Sequence, residues 1–295
     1  MVGARGHYEN FPVASVLVPK PMRRHIAAVY AFARTADDFA DEGVRSRDER
    51  LRLLDSWSRR LRHASVHDAP TDPAQPGEPP DAVAIFTAVG ASIRERALPV
   101  SLFDDLLSAF RQDVTVTRYR TWKDVLDYCR RSANPVGRLV LRIAGYQDRV
   151  LDERSDAICS ALQLTNFWQD LKIDFDRGRI YLPDEEQRAY GAREEELAAS
   201  HVSAAWQQAL AAATARTRAM FEAGRPLCDA VHGRLRYELR ATWLGGVRIL
   251  ERLEHANFDV IHHRPTIGPR DGYWFAWQMM RWPHGSRRSS GLRAL

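Results

Sequence analysis

Strand signals are scarce in this chain of 295 residues. No convincing run alternates apolar and polar residues, and no Asn-Gly pair marks a tight hairpin. An all-α fold is expected. Cysteine is nearly absent: the three present are Cys129, Cys159 and Cys228. Their spacing fits no zinc motif, and an odd number argues against a disulfide framework. Each reads as a small core residue in a reducing cytoplasm. No run of about 18 apolar residues occurs, so no transmembrane helix is expected. Residues 1–10 hold no apolar stretch suited to a signal peptide. Any membrane contact is therefore expected to be peripheral. No long Lys/Arg run lies outside the extreme C-terminus, and no Gly-x-Gly-x-x-Gly dinucleotide fingerprint is present.

What the chain has is helical periodicity and a mild positive charge. The net charge is +5, which suits an anionic partner without choosing among phosphorylated substrate, anionic lipid and nucleic acid. Helices are expected over residues 26–41, 47–63, 82–96, from about Pro99 to Asp113, 122–131, 135–145, 152–175, 193–230 and 235–257. Thr121 reads as an N-cap. In residues 68–81 five of fourteen positions are proline. This segment reads as a mobile loop within one domain, residues 1–282, because the chemical motifs fall on both sides of it. Residues 283–295 read as a disordered basic tail. His25, His63 and His201 read as surface residues; Trp57, Trp122 and Trp206 read as packing.

Two helices carry the chemistry. On the first, Tyr30, Arg34, Asp37 and Asp41 follow one another at intervals of four, three and four, and so share a face. Carboxylates four residues apart on a helix lie about 6 Å from each other and can share a metal ion. On the second, Gln163, Asn166, Asp170 and Asp174 form the same kind of stripe. Their neighbours are nearly all apolar, including Leu164, Phe167, Trp168 and Leu171. Such a helix is buried, and charge on it needs polar company. Carboxylate oxygens with amide support and no nearby histidine favour Mg2+ or Mn2+ over zinc. A bound diphosphate is the natural bridge between the two helices. Arg177, Gly178, Arg179 and Tyr181 follow at once: the glycine lets the chain turn, and the other three can donate to diphosphate oxygens.

These residues carry a resemblance to the squalene and phytoene synthases, the head-to-head trans-isoprenyl diphosphate synthases. The motifs are ARTADDFADEG at residues 33–43 and NFWQDLKIDFDRGRIYLP at residues 166–183. YENFPVAS at 8–15 and YCRRSANPVGRLVL at 128–141 look most like the hydroxysqualene synthase branch of hopanoid synthesis. The resemblance implies a single-domain helical bundle around a central apolar cavity. It implies Asp37, Asp41, Asp170 and Asp174, with Asn166, at the metal. It places Arg34, Gln163, Asn166 and Tyr181 around the diphosphate, and Tyr30, Phe11 and Tyr128 beside the reacting chains.

Two departures from the family pattern stand out. Gln169 occupies a position where many phytoene-type members carry arginine. Asn134-Pro135 also differs, which points to altered helix geometry near the cavity and puts Asn134 among the substrate-facing positions.

The branch implies Mg2+-dependent ionisation of presqualene diphosphate, capture by water, no NADPH and no nucleic acid. It also allows handover of substrate from a presqualene diphosphate synthase. Other readings remain open: a presqualene diphosphate, phytoene or dehydrosqualene synthase; a terpene cyclase or chain-elongating enzyme; or a non-catalytic scaffold of the same fold. The aromatic segment 273–282 reads as core, as cavity wall or as a peripheral membrane contact.

Overall fold

The computed structural model describes residues 17–68 and 72–282. Phe11, residues 69–71 of the proline-rich segment and the tail 283–295 lie outside the described residues. Fourteen helices and no strand occur among those described: α1 (Lys20–Asp41), α2 (Arg47–Val66), α3 (Ala82–Arg96), α4 (Val100–Asp113), α5 (Trp122–Ser132), α6 (Asn134–Ile143), α7 (Arg149–Gln169), α8 (Leu171–Asp176), α9 (Asp184–Tyr190), α10 (Glu194–Ala198), α11 (Ala204–Gly224), α12 (Leu227–Ala230), α13 (Gly233–His255) and α14 (Asp271–Met280). The all-α expectation holds.

Local chemistry explains most boundaries. Helix α1 starts six residues before the expected Ile26, because Pro21 in its first turn needs no backbone N–H partner. Thr121 caps α5 reciprocally with Asp124, as expected. Between α5 and α6 the chain breaks at Ala133, beside Asn134-Pro135, where proline cannot continue the preceding helix. The expected helix over 152–175 is interrupted at Asp170, although its backbone hydrogen bonds to Asn166 and from Asp174 persist. The expected helix over 193–230 is three helices. Ser203 caps a new start at α11, and Pro226 separates α11 from α12. Helix α9 was not anticipated, yet its signals are plain: Pro183 before it, three acidic residues in its first turn, and Gly191 at positive φ after it.

The core has two halves. In one, Phe32 from α1 meets Trp57, Phe86 and Phe103 at centroid distances of 5.8, 6.1 and 5.5 Å. Trp57 is fully buried and donates to the Phe32 carbonyl at 3.2 Å. In the other, α7 packs against α6, α11 and α13. There Trp168 is buried and donates to Thr217 at 2.8 Å. Trp206 and Trp122 are buried too, so the three tryptophans expected to pack do so.

Two expectations need correction. His25 is buried rather than exposed, held by Ser92 at 3.0 Å between α1 and α3. The proline-rich segment is a loop, but residues 72–81 are tied to α2. Glu78 is buried against Arg60, and Arg60 also donates to the Asp72 and Pro73 carbonyls. The Ser56 hydroxyl lies 3.1 Å from both the Gln75 and the Glu78 side-chain oxygens and shares its one hydrogen between them.

Candidate active site

A cavity opens between the two halves. It is lined by Asp37 and Asp41 from α1, Asp113 at the end of α4, Tyr128 and Ser132 from α5, and Val136 from α6. Cys159, Leu162, Gln163, Asn166 and Phe167 line it from α7, Asp174 from α8, and Arg177, Arg179 and Tyr181 from the segment after α8. One end is therefore acidic with two arginines, and the wall beside it is apolar and aromatic.

Helix α1 and the α7–α8 pair are joined across this cavity by Arg179. Its guanidinium grips Asp41 with two hydrogen bonds of 2.6 and 3.0 Å and reaches the Asp113 carbonyl at 3.2 Å. Its own backbone N–H donates to the Asp174 carbonyl at 2.8 Å. The turn that brings it round needs Gly178, which sits at φ 83, a conformation costly for residues with a Cβ. The Gly178 carbonyl is fixed by Arg118 at 2.6 Å.

The aromatic wall is built from stacked rings. Phe167 and Tyr181 lie face to face at 3.7 Å, and Tyr119 and Tyr128 pack against Tyr181 at 5.6 and 5.9 Å. Tyr128 donates to Asp113 at 2.9 Å. The other Asp113 oxygen is buried and accepts no hydrogen bond among the described residues.

Burial dominates the electrostatics. It pushes the Asp37 carboxyl well above the ordinary range, helped by the charges of Asp41 and Asp113. Burial and Asp41 raise Asp113 to about 7. Burial and Asp170 raise Asp174 to about 7. Three carboxyl groups thus resist ionisation where negative charge is crowded, and a divalent cation would relieve all three. Cys159 adds no soft donor, because burial pushes its thiol up to about 12.

The donor set therefore fits a hard cation: carboxylates, the Asn166 amide and an orphaned buried oxygen. Among the described residues, no three His, Cys, Asp or Glu side chains already stand together as a ligand group. Arginines hold the places between them.

Not every expected residue faces the cavity. Asp170 is buried to 2% exposure and is engaged by Arg264, with Nη2 3.2 Å from Oδ2, and by the Asn166 amide at 2.7 Å. Arg34 lies beside the lining, paired with Asp37, Asp38 and Glu42. Tyr30 is half-buried on α1 and does not line the cavity. Asn134 turns away and accepts a 2.8 Å hydrogen bond from Ser160.

Two charged residues at the site escaped the sequence reading, as did the apolar lining residue Phe167. Asp113 had a usable signal: it continues the buried stripe Leu106, Ala109, Phe110 of α4, so a charge there is out of place on a solvent face. Arg264 had none, because it comes from a loop 94 residues beyond its partner. The segment 273–282 contributes nothing to the cavity wall. Trp274, Phe275 and Met279 pack on the core, and Trp282 is buried. Tyr273, Trp277 and Met280 are exposed.

With this arrangement in view, the chain belongs to the squalene/phytoene synthase family, whose profile matches residues 4–271. Its members are enzymes acting on isoprenoid diphosphates and generally depend on a divalent metal. A hydroxysqualene synthase from Zymomonas mobilis is 36% identical over 234 residues, covering 79% of this chain and 74% of its own. Another, from Sinorhizobium fredii, is 37% identical over 263 residues, covering 88% and 84%. Among solved structures, the squalene synthase HpnC from Alicyclobacillus acidocaldarius superposes with a TM-score of 0.75 at 37% identity, covering 85% of this chain and 90% of that one.

Proposed function

We propose that this chain is a hydroxysqualene synthase acting on presqualene diphosphate without NADPH. The observation that carries this reading is one cavity with an acidic, arginine-bearing end set against a wall of stacked aromatic rings. It is joined by the activity named for relatives at 36–37% identity. Asp37, Asp41, Asn166, Asp170 and Asp174 would hold Mg2+, with Mn2+ as a substitute. When bound, the metal supplies positive charge to the leaving diphosphate.

The chain's own residues do the rest. Arg177 and Arg179 orient the diphosphate oxygens, with Gln163 at the same wall. The C–O bond breaks, and the diphosphate leaves with the electron pair. The cyclopropylcarbinyl cation left behind faces Tyr128, Phe167 and Tyr181, whose ring faces stabilise it by about 1–2 kcal/mol each when water is excluded. The three-membered ring opens, water adds to the resulting cation, and one proton is lost.

The test incubates purified protein and Mg2+ with either farnesyl diphosphate or presqualene diphosphate, with no NADPH, and identifies the lipid formed. Hydroxysqualene is expected. Presqualene diphosphate, phytoene or dehydrosqualene, formed from prenyl diphosphates instead, would overturn the assignment.

The substrate and product are both lipids, and no helix among the described residues is long and apolar enough to cross a membrane. We place a peripheral membrane contact at α14, where Tyr273 (88% exposed), Trp277 and Met280 (73% exposed) form one apolar stripe. Arg281 stacks on Trp277 at 4.8 Å. Handover from a presqualene diphosphate synthase at that surface fits the amphiphilic substrate. Replacing Tyr273, Trp277 and Met280 together by serine should weaken co-sedimentation with anionic vesicles about tenfold, the scale expected for losing roughly 1–2 kcal/mol of apolar burial. Unchanged sedimentation would remove α14 as the contact.

A further inference from the structure

The loop between α13 and α14 is fastened at three points. Gln169 donates to the Pro265 carbonyl, and Arg252 donates to the Thr266 carbonyl. The Gly268 N–H donates to Asp271 at 2.7 Å, and Asp271 is itself gripped by Arg252 and Arg248. These fastenings present Arg264 to Asp170, where Nε and Nη2 each face one carboxylate oxygen. Asp170 also accepts from Asn166. Three hydrogen bonds thus fill most of its acceptor positions, and the guanidinium sets a positive charge where a metal ion would bind, which opposes the ion until a donor withdraws.

The candidates for withdrawal differ. Asn166 rides on the same helix one turn earlier and lines the cavity itself. Arg264 comes from outside, and its side chain is 38% exposed while that of Asp170 is 2% exposed. Its loop origin and exposed side chain give Arg264 room to swing into solvent. A cation beside Asp170 also spares the metal-free protein an uncompensated buried charge.

We propose that Arg264 is an exchangeable counter-cation for Asp170. It neutralises the buried carboxylate in the ligand-free protein and yields it to Mg2+. Gln169, through Pro265, keeps the loop in register so that the guanidinium stays within reach. Arg264 is in this account a positioning residue. The inference rests on the reading of Asp170 as a metal ligand.

The experiment uses the full chain, Mg2+ alone and thermal unfolding, followed by calorimetric titration. Arg264→Gln should lower the unfolding midpoint by several degrees without metal. Added Mg2+ should narrow that deficit, because the ion fills the vacated charge. Correspondingly, Arg264→Gln should bind Mg2+ about 3–10-fold more tightly than wild type. Arg264→Lys should fall between. The double variant Asp170→Asn with Arg264→Gln removes the pair together and keeps the test open should the single variant fold poorly. It should regain stability and lose the response to Mg2+.

A deficit in Arg264→Gln that stays constant as Mg2+ rises, or a Mg2+ affinity that is unchanged or weaker, makes the pair a fixed strut and overturns the exchange. Wild-type protein that binds neither Mg2+ nor diphosphate overturns the functional reading and the exchange together. Wild-type binding with a constant deficit removes only the exchange.

Discussion

The two aspartate pairs share a spacing and differ in their settings. Asp37 and Asp41 sit on an unbroken helix and keep some exposure, 14% and 29% at the side chain. Asp170 and Asp174 are nearly buried, the first at the break between α7 and α8 and the second on α8. Yet the charge is managed alike. One member of each pair is gripped by an arginine from a distant loop: Asp41 by Arg179, 138 residues away, and Asp170 by Arg264, 94 residues away. The other member, Asp37 or Asp174, lines the cavity with its carboxyl pushed upward. A site that gathers acid groups for a cation must also fold before the cation arrives. Gripping one carboxylate of each pair with a distant arginine, and leaving the other prone to protonation even where Arg34 lies 3.4 Å from Asp37, meets both demands.

The largest effect should come from breaking each pair as a ligand set. Asp37→Asn and Asp170→Asn keep shape and remove charge. Each should lower kcat/KM by about 100-fold or more, the range seen when one stabiliser of developing charge is lost. Circular dichroism should show both variants folded. Near wild-type turnover at low Mg2+ in either one would mean that its pair does not hold the metal, and the likeness between the two pairs would end at their spacing.

Spacing and surroundings made both pairs legible before any coordinates. A polar stripe on the otherwise apolar stretch around Leu164, Trp168 and Leu171 is a contradiction that only an interior site resolves. The expectation that Asn134-Pro135 disturbs a helix near the cavity also holds, since α5 ends beside it. Its corollary fails, because Asn134 faces Ser160 and not the cavity. Helix periodicity says which face a residue shares, and it says nothing of what lies opposite. That is why Arg264 stayed hidden while Arg179, next to its motif, did not. The interruption at Asp170 was hidden for a related reason. No proline or glycine marks it, and its backbone bonds run through. Asp113 was within reach, because its phase with Leu106 and Phe110 is the same argument that exposed Asp174.

The smaller effect separates the two members of each pair. Asp41→Asn strips Arg179 of its partly buried partner and should cost about 1–2 kcal/mol of stability at neutral pH, between surface and fully buried ion pairs. Asp174→Asn should do the reverse in metal-free protein. The folded-state pKa of Asp174 is raised from 3.8 to about 7, so the folded chain holds a proton that the unfolded chain releases. That contribution to stability is fully present below about 3.8 and is lost as pH rises through about 7. Asparagine does not titrate. The variant should match wild type near pH 4 and exceed it by about 2 kcal/mol at pH 8. That is half of the ~4 kcal/mol that three pK units represent, since water entering the open cavity relaxes the charge. Saturating Mg2+ with diphosphate should then invert the order at pH 8, because the wild-type carboxylate gains a cation that the variant cannot use. Urea unfolding at the two pH values, with and without ligand, reads all four cases. An Asp174→Asn variant no more stable than wild type at pH 8 without metal would mean that Asp174 is neutralised as fully as Asp41, and the division of labour within each pair would not exist.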